Sequence, residues 1–286
     1  MANLKEIRNR ISSISSTMQI TSAMKMVSAA KLKKAQDAIT AMRPYADKLT
    51  ELLQSLSATL DAENGSVYAT EKEVNKVLLV AITSNRGLCG GFNSNIIKQS
   101  NHLLDNVYNG KHVDFVCIGK KANDILEKRS TIISNKSEVY DDLTFDNVAE
   151  IAEMLMDKFV DGSYDKIELV YNKFKNAATQ IIMTEQFLPI VNETADADVN
   201  LEYLFEPSKE EIVEALIPKS LKTQLYKAIR DSFAAEHGAR MTAMHKATDN
   251  ATELRDALKL TYNKARQAAI TNEILEIVGG AEALNN

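Results

Sequence analysis

In this 286-residue chain one stretch places glycines where a phosphate could be cradled: residues 84–93, SNRGLCGGFN, lie between an apolar run that reads as a strand and a segment that reads as the start of a helix. Phosphate loops need glycine at fixed offsets, so that backbone N–H groups can close on the anion, and usually a lysine. This stretch is neither GxGxxG nor GxxxxGK followed by Ser or Thr, it contains no lysine, and no acidic residue closes a second strand to hold a ribose. Gly87, Gly90 and Gly91 therefore read as a tight turn with close backbone approach.

The other reactive side chains form no recognisable constellation. Four histidines (His102, His112, His237, His245) are scattered, and none combines with cysteine or carboxylate at zinc-ligand spacing. Glu236 and His237 are neighbours that could do acid–base work, but they lack a third group to orient them. No serine sits in a nucleophile elbow. Cys89 and Cys117 lie in apolar surroundings without CxxC spacing and read as reduced core thiols. The expectation is a chain with no catalytic residue, no cofactor and no metal.

The elements that would carry these residues are mostly helical. Four prolines, ten glycines and no tryptophan favour long helices over a loop-rich barrel. Leu4, Ile7, Ile11, Ile14, Met18, Thr21, Lys25, Ser28, Leu32, Ala35, Ile39 and Met42 repeat at 3-4 spacing, a coiled-coil seam. Asn3 with Glu6 can cap this helix, Pro44 is expected to kink it, and Glu63-Asn64-Gly65 to end it. About 55 such residues would span roughly 80 Å. A second seam is read through Phe233, His237, Arg240, Met244, Ala247, Ala251, Leu254, Leu258, Thr261, Ala265, Ala268, Asn272 and Leu275. Its helix is expected to start after Pro218 and stop at Gly279-Gly280. Two long seams at opposite ends bury each other if they run antiparallel. Polar and small residues interrupt both seams, which makes them poor material for a static coiled coil.

Between the arms the period switches. Residues 77–83, 113–119, 166–174 and 179–188 read as strands, and 93–107, 120–128 and 146–159 as helices. Residues 201–206 (LEYLFE) read as an edge strand, and 208–216 as a short helix. The expected fold class is α/β: a long antiparallel coiled coil of the N- and C-terminal helices plus a central Rossmann-like domain. The expected division is a helix at 1–62, an α/β domain at 74–206, and a short then a long helix at 207–286.

Charge is unevenly distributed. Residues 1–60 carry nine Lys/Arg against four Asp/Glu, and residues 61–207 carry fourteen against twenty-four. A basic arm on an acidic body points to an acidic partner surface. A pI near 5.6 and an arm without interleaved aromatics argue against nucleic acid. No segment is apolar enough to enter lipid, and the N-terminus lacks the apolar core of a signal peptide. From residues alone, a nucleotide- or metabolite-binding α/β module with helical dimerisation arms stays open beside a partner-binding scaffold.

Longer matches narrow this. IRNRISSISSTMQITSAMKMVSAAKLKKAQ at residues 7–36 resembles the first helix of the F-type ATP synthase γ subunits. AEHGARMTAMHKATDNA at 235–251 and LTYNKARQAAITNEILEIVGGAEAL at 260–284 resemble their last helix, and SNRGLCGGFN is similar to that family's SDRGLCGGFN. Gly238 stands where the family usually has alanine, at a helix cost of up to about 1 kcal/mol. Asn85 replaces its aspartate, and Phe205 a frequent tyrosine.

The resemblance implies a central rotor shaft that couples proton-driven rotation of a c ring to conformational cycling of catalytic β subunits, without doing chemistry itself. It implies α and β subunits, an ε subunit and the c ring as partners, and a peripheral place on the cytoplasmic face of a bacterial inner membrane. By match of motif, Met24, Lys25, Arg240, Arg266, Gln267 and Thr271 would meet the α and β subunits. Tyr203, Phe205 and Glu206 would seat on the c ring and ε.

Overall fold

A computed structural model describes residues 4–57, 67–68, 73–190 and 209–284. Asn3, the expected helix end at 63–65 and the expected strand at 201–206 lie outside the described residues. The described residues divide into two compact units, residues 29–240 and residues 1–28 with 241–286.

The larger unit is built on a five-stranded sheet in the order β3-β2-β1-β4-β5. Strands β1 (Lys76–Ile82), β2 (His112–Ile118), β3 (Ile132–Asn135) and β4 (Lys166–Phe174) run parallel, and β5 (Gln180–Leu188) returns antiparallel to β4. Six consecutive residues of β1 are buried, as expected of a strand covered on both faces. Val77, Leu79 and Ala81 pack with Phe115 and Cys117 on one side. Leu78, Val80 and Ile82 pack with Val116 and Ile118 on the other, the period of two that a strand imposes.

Helices α2 (Phe92–His102) and α3 (Lys120–Leu126) supply the first face through Ile96, Ile97, Ala122 and Leu126. Helix α4 (Phe145–Val160) covers the other, burying Val148, Ile151, Ala152, Leu155, Met156 and Phe159 at helical spacing. Thr144 caps α4 by accepting from the Asn147 N–H at 3.4 Å. Strand β3 was not expected. Its four residues, IISN, are half-buried or exposed and carry neither a long apolar run nor clean alternation.

The long helices are α1 (Leu4–Ser57) and α5 (Lys209–Leu284). Helix α5 corrects two expected boundaries. It passes through Pro218, where one main-chain hydrogen bond is forfeited, because Ile217, Leu221 and Leu225 on either side are buried against the sheet. It also passes through Gly279 and Gly280. Neither glycine has the positive φ that would turn the chain out of a helix, so each costs only about 1 kcal/mol of propensity.

In the smaller unit the two chain ends pair antiparallel. Arg8 donates to the Tyr262 hydroxyl at 2.7 Å, Thr252 lies 3.3 Å from the Met18 sulfur, and Thr248 donates to Thr21 at 2.8 Å. Each step up α1 is thus a step down α5. Every expected seam residue of α1 from Leu4 to Met42 is buried or half-buried. On α5 the seam runs through Met244, Thr248, Ala251, Arg255, Leu258 and Tyr262, while Leu254 and Thr261 are exposed. A helix of 3.6 residues per turn accommodates steps of three or four, and here it takes four where three was expected. Ala268, Asn272 and Leu275 are exposed as well. The register sets residue 266 opposite Leu4, so α1 offers them no partner.

Candidate functional site

The carboxyl ends of β1 and β4 mark the point where the chain leaves the sheet in opposite directions, since β1 leads to β2 on one side and β4 to β5 on the other. Doubly wound sheets hold ligands in this crevice. Here the crevice contains the chain's own last helix: Ala235 and Ala239 pack on Cys89 and Phe92, with Phe174 alongside. A Cβ on Gly238 would stand 3.2 Å from the Cα and carbonyl oxygen of Ala177 in the β4–β5 turn. Glycine at this position permits the close approach. The nucleotide-site reading of the 84–93 loop thus meets an occupied crevice.

The loop is held in detail. Ser84 donates to the Arg86 carbonyl oxygen at 2.6 Å, and the Asn93 oxygen accepts from the Ser84 N–H at 2.9 Å. Asn93 Nδ2 donates to the Cys89 sulfur at 3.2 Å. Asn85 donates to the Ser137 carbonyl at 2.9 Å and accepts from the Lys120 N–H at 3.1 Å. An aspartate could not make the first of these bonds. Gly90 has φ 60°, and so does Leu88, at 61°, with its side chain 66% exposed. A leucine in the left-handed region is uncommon and persists only where its surroundings enforce it. Gly119 closes the neighbouring strand end at φ 118°, where a Cβ would fall 2.1 Å from the Thr83 carbonyl oxygen.

Arg240 of the last helix reaches the same loop. Only 7% exposed, its guanidinium pairs with Glu236 through Nη1 and donates through Nη2 to the carbonyl oxygens of Arg86 and Gly87 at 3.2 and 3.3 Å. Burial pushes the Glu236 carboxyl above its usual range, against the opposing pull of Arg240, Lys31 and Arg86. His237 is buried with both ring nitrogens unpartnered among the described residues, its ring edge-on to Phe233 at 4.5 Å. Desolvation, with Arg240 and Lys31 nearby, depresses its pKa to about 4. The imidazole is therefore neutral at pH 7 and acts as a packing group. Burial also raises both thiols, Cys117 to about 12.

The other expected site residues stand elsewhere. Met24 and Lys25 are half-buried on α1; Arg266, Gln267 and Thr271 are exposed on α5. By the Met18–Thr252 register, Met24 lies opposite about residue 246, some 20 residues or roughly 30 Å of helix from Arg266. These expected residues therefore fall in two separate places along the paired helices. Tyr203, Phe205 and Glu206 lie outside the described residues. Glu236, which the sequence offers with His237 for acid–base work, is instead the ion-pair partner of Arg240. Its spacing of four to Arg240 was the available signal of an ion pair.

These features define a mixed α/β domain whose ligand crevice is filled by a terminal helix, together with an antiparallel pair of helices from the two chain ends. Solved chains share this architecture. One from the Euglena gracilis mitochondrial ATP synthase (OSCP/F1/c-ring, rotational state 3) superposes with a TM-score of 0.71 over 98% of this chain and 94% of that one, at 22% identity. One from the Tetrahymena thermophila mitochondrial ATP synthase (central stalk/c ring) gives 0.60 over 80% and 99%, at 25% identity. A family model described as ATP synthase matches residues 3–284. The chain is 74% identical over 285 residues to the ATP synthase gamma chain of Flavobacterium psychrophilum, covering 99% of each, and 68% identical to that of Christiangramia forsetii, covering all of both. The chain belongs to the ATP synthase gamma chain family.

Proposed function

We propose that this chain is the central rotor shaft of an F-type ATP synthase, coupling rotation of a proton-driven c ring to the conformational cycling of catalytic β subunits. Family membership along the whole length supports the assignment. The observation that carries the mechanism is the make-up of the paired helices. Buried Thr21 and Ser28 interrupt the seam, and beyond residue 265 the last helix exposes Ile270, Ile274, Leu275, Ile277 and Val278 at 49–66%. Apolar residues concentrated on an exposed helix end mark a surface that meets another protein. A shaft turning in a sleeve of α and β subunits needs such contacts to be shallow and exchangeable.

In this reading the chain is a non-catalytic subunit. Met24 and Lys25 form one station against the α and β subunits, and Arg266, Gln267 and Thr271 a second nearer the tip. Arg240 belongs to the same partner-facing set, although in the chain alone it is engaged with the 84–93 loop. Tyr203, Phe205 and Glu206 seat the rotor on ε and the c ring. The functional parts are the helix at 1–62, the α/β domain at 74–206 and the helical segment at 207–286. No described helix is long and apolar enough to cross a membrane. In this reading the partners hold the chain peripherally on the cytoplasmic face of a bacterial inner membrane.

Met24→Lys tests the reading by adding a cation at the first station. In the assembled enzyme reconstituted in vesicles, ATP hydrolysis persists while proton pumping per ATP falls. Pumping equal to wild type would overturn the assignment of that station. Saturable nucleotide binding to the isolated chain would argue for the metabolite-binding alternative.

A further inference from the structure

Three observations meet at the end of β1. The 84–91 loop holds a leucine, Leu88, in the left-handed region and exposes it to solvent. The carbonyl oxygens just before it, of Arg86 and Gly87, accept from the nearly buried Arg240 of α5. Arg240 is in turn held by Glu236 one helical turn earlier, whose side chain is 10% exposed. Arginine is suited to this because its planar fork can serve a carboxylate with one nitrogen and main-chain carbonyls with another. A buried guanidinium without a counter-charge would be drawn toward water.

We propose that Glu236 is a positioning residue that commits Arg240 to the loop, so that the last helix holds residues 86–88 in their strained, exposed conformation. Glu236 and Arg240 together form a latch between the terminal helix and the 84–93 loop. The proposal concerns contacts within this chain. It bears on the rotor reading only because Arg240 is also one of the residues assigned there to the catalytic subunits: an acidic partner group that draws Arg240 away would release the loop, linking the two.

The loop contains its own reporter. Cys89 is 2% exposed and its sulfur sits among Ser84, Asn93 and the Arg86 carbonyl, so loosening of the latch uncovers it. Cys117, 0% exposed in the middle of the sheet, opens only when the domain unfolds. The full-length chain is treated with a thiol reagent under native conditions and the two labelled peptides are followed by mass spectrometry. Glu236→Gln is expected to speed Cys89 labelling about tenfold, with Cys117 unchanged. The double variant Glu236→Gln/Arg240→Gln removes the buried charge but also the fork, and Cys89 should remain fast. The proposal is overturned if Cys89 keeps its wild-type rate in Glu236→Gln, if the double variant restores that rate, or if Cys117 accelerates in step with Cys89. None of these readings depends on assembly or ATP turnover, so a failed rotor assignment and a failed latch give different results.

Discussion

Arg240 of the last helix donates to the carbonyl oxygen of Gly87, 153 positions earlier, at 3.3 Å while its other terminal nitrogen pairs with Glu236. Both side chains are about nine-tenths buried. Removing one partner of a buried pair leaves an uncompensated charge and typically costs about 3–5 kcal/mol, far more than a surface pair is worth.

Arg240→Ala is therefore expected to lower stability by about 3 kcal/mol near pH 8, measured by urea unfolding. Burial already raises the Glu236 pKa with Arg240 present, and removing the arginine raises it further. A carboxyl whose folded pKa lies above its unfolded one binds protons preferentially in the native state. The penalty in the variant then shrinks as pH falls through the folded pKa toward the unfolded value. A cost that stays constant between pH 8 and pH 5 would show that Glu236 is not the group left stranded.

His237 acts in the opposite sense. Its folded pKa of about 4 lies below the 6.5 of the unfolded chain, so protons bind to the unfolded state first. Stability present above pH 6.5 is lost as pH falls toward 4, and the full difference amounts to roughly 3 kcal/mol. The groups acting on the ring are Arg240 and Lys31, both cationic, which disfavour a charged imidazole; Glu236, adjacent in sequence, is paired with Arg240. His237→Phe keeps the edge contact with Phe233 and removes two buried nitrogens that have no partner among the described residues. We expect it to match or exceed wild type at pH 7 and to flatten the loss between pH 6.5 and 4. Chemical denaturation at a series of pH values reads both effects, and an unchanged acid slope would assign the loss to other groups.

The same residues indicate what the sequence made legible. The α1 seam could be read residue by residue because its 3-4 spacing holds without a break from Leu4 to Met42, through Lys25 as well as the apolar and small positions. On α5, Leu254 and Arg255 compete for the same seam position, and the arginine takes it, lying 3.4 Å from the Met18 sulfur. Apolarity alone points to the wrong residue there, since the Arg255 guanidinium itself lies over the Met18 sulfur while pairing with Asp256. Pro218 and Gly279-Gly280 are local stop signals that the helix overrides, the first through packing that a local reading does not see. The link between Arg240 and the loop joins positions 153 apart, and neither end shows a pattern that names the other. The ion pair with Glu236, at a spacing of four, was within reach of sequence reasoning.

Thr21 and Thr248 face each other across the paired chain ends, with the Thr248 hydroxyl donating to Thr21 at 2.8 Å. Each also lies within hydrogen-bond reach of a carbonyl in its own helix, Thr21 of Met18 at 3.1 Å and Thr248 of Met244 at 2.8 Å, so the pair is satisfied but contributes little net stabilisation. Valine has nearly the same shape and the same β-branched stiffness. Thr21→Val alone strands part of the Thr248 hydroxyl's bonding and should cost about 0.5–1 kcal/mol, whereas the double variant Thr21→Val/Thr248→Val turns the position into an aliphatic layer and should be more stable than wild type by about 1 kcal/mol. Thermal unfolding of the isolated chain measures this. If the polar seam serves rotation, the more stable double variant should assemble normally yet turn over ATP more slowly in the complete enzyme. Faster turnover, or no change, would leave the polarity of the seam without a mechanical role.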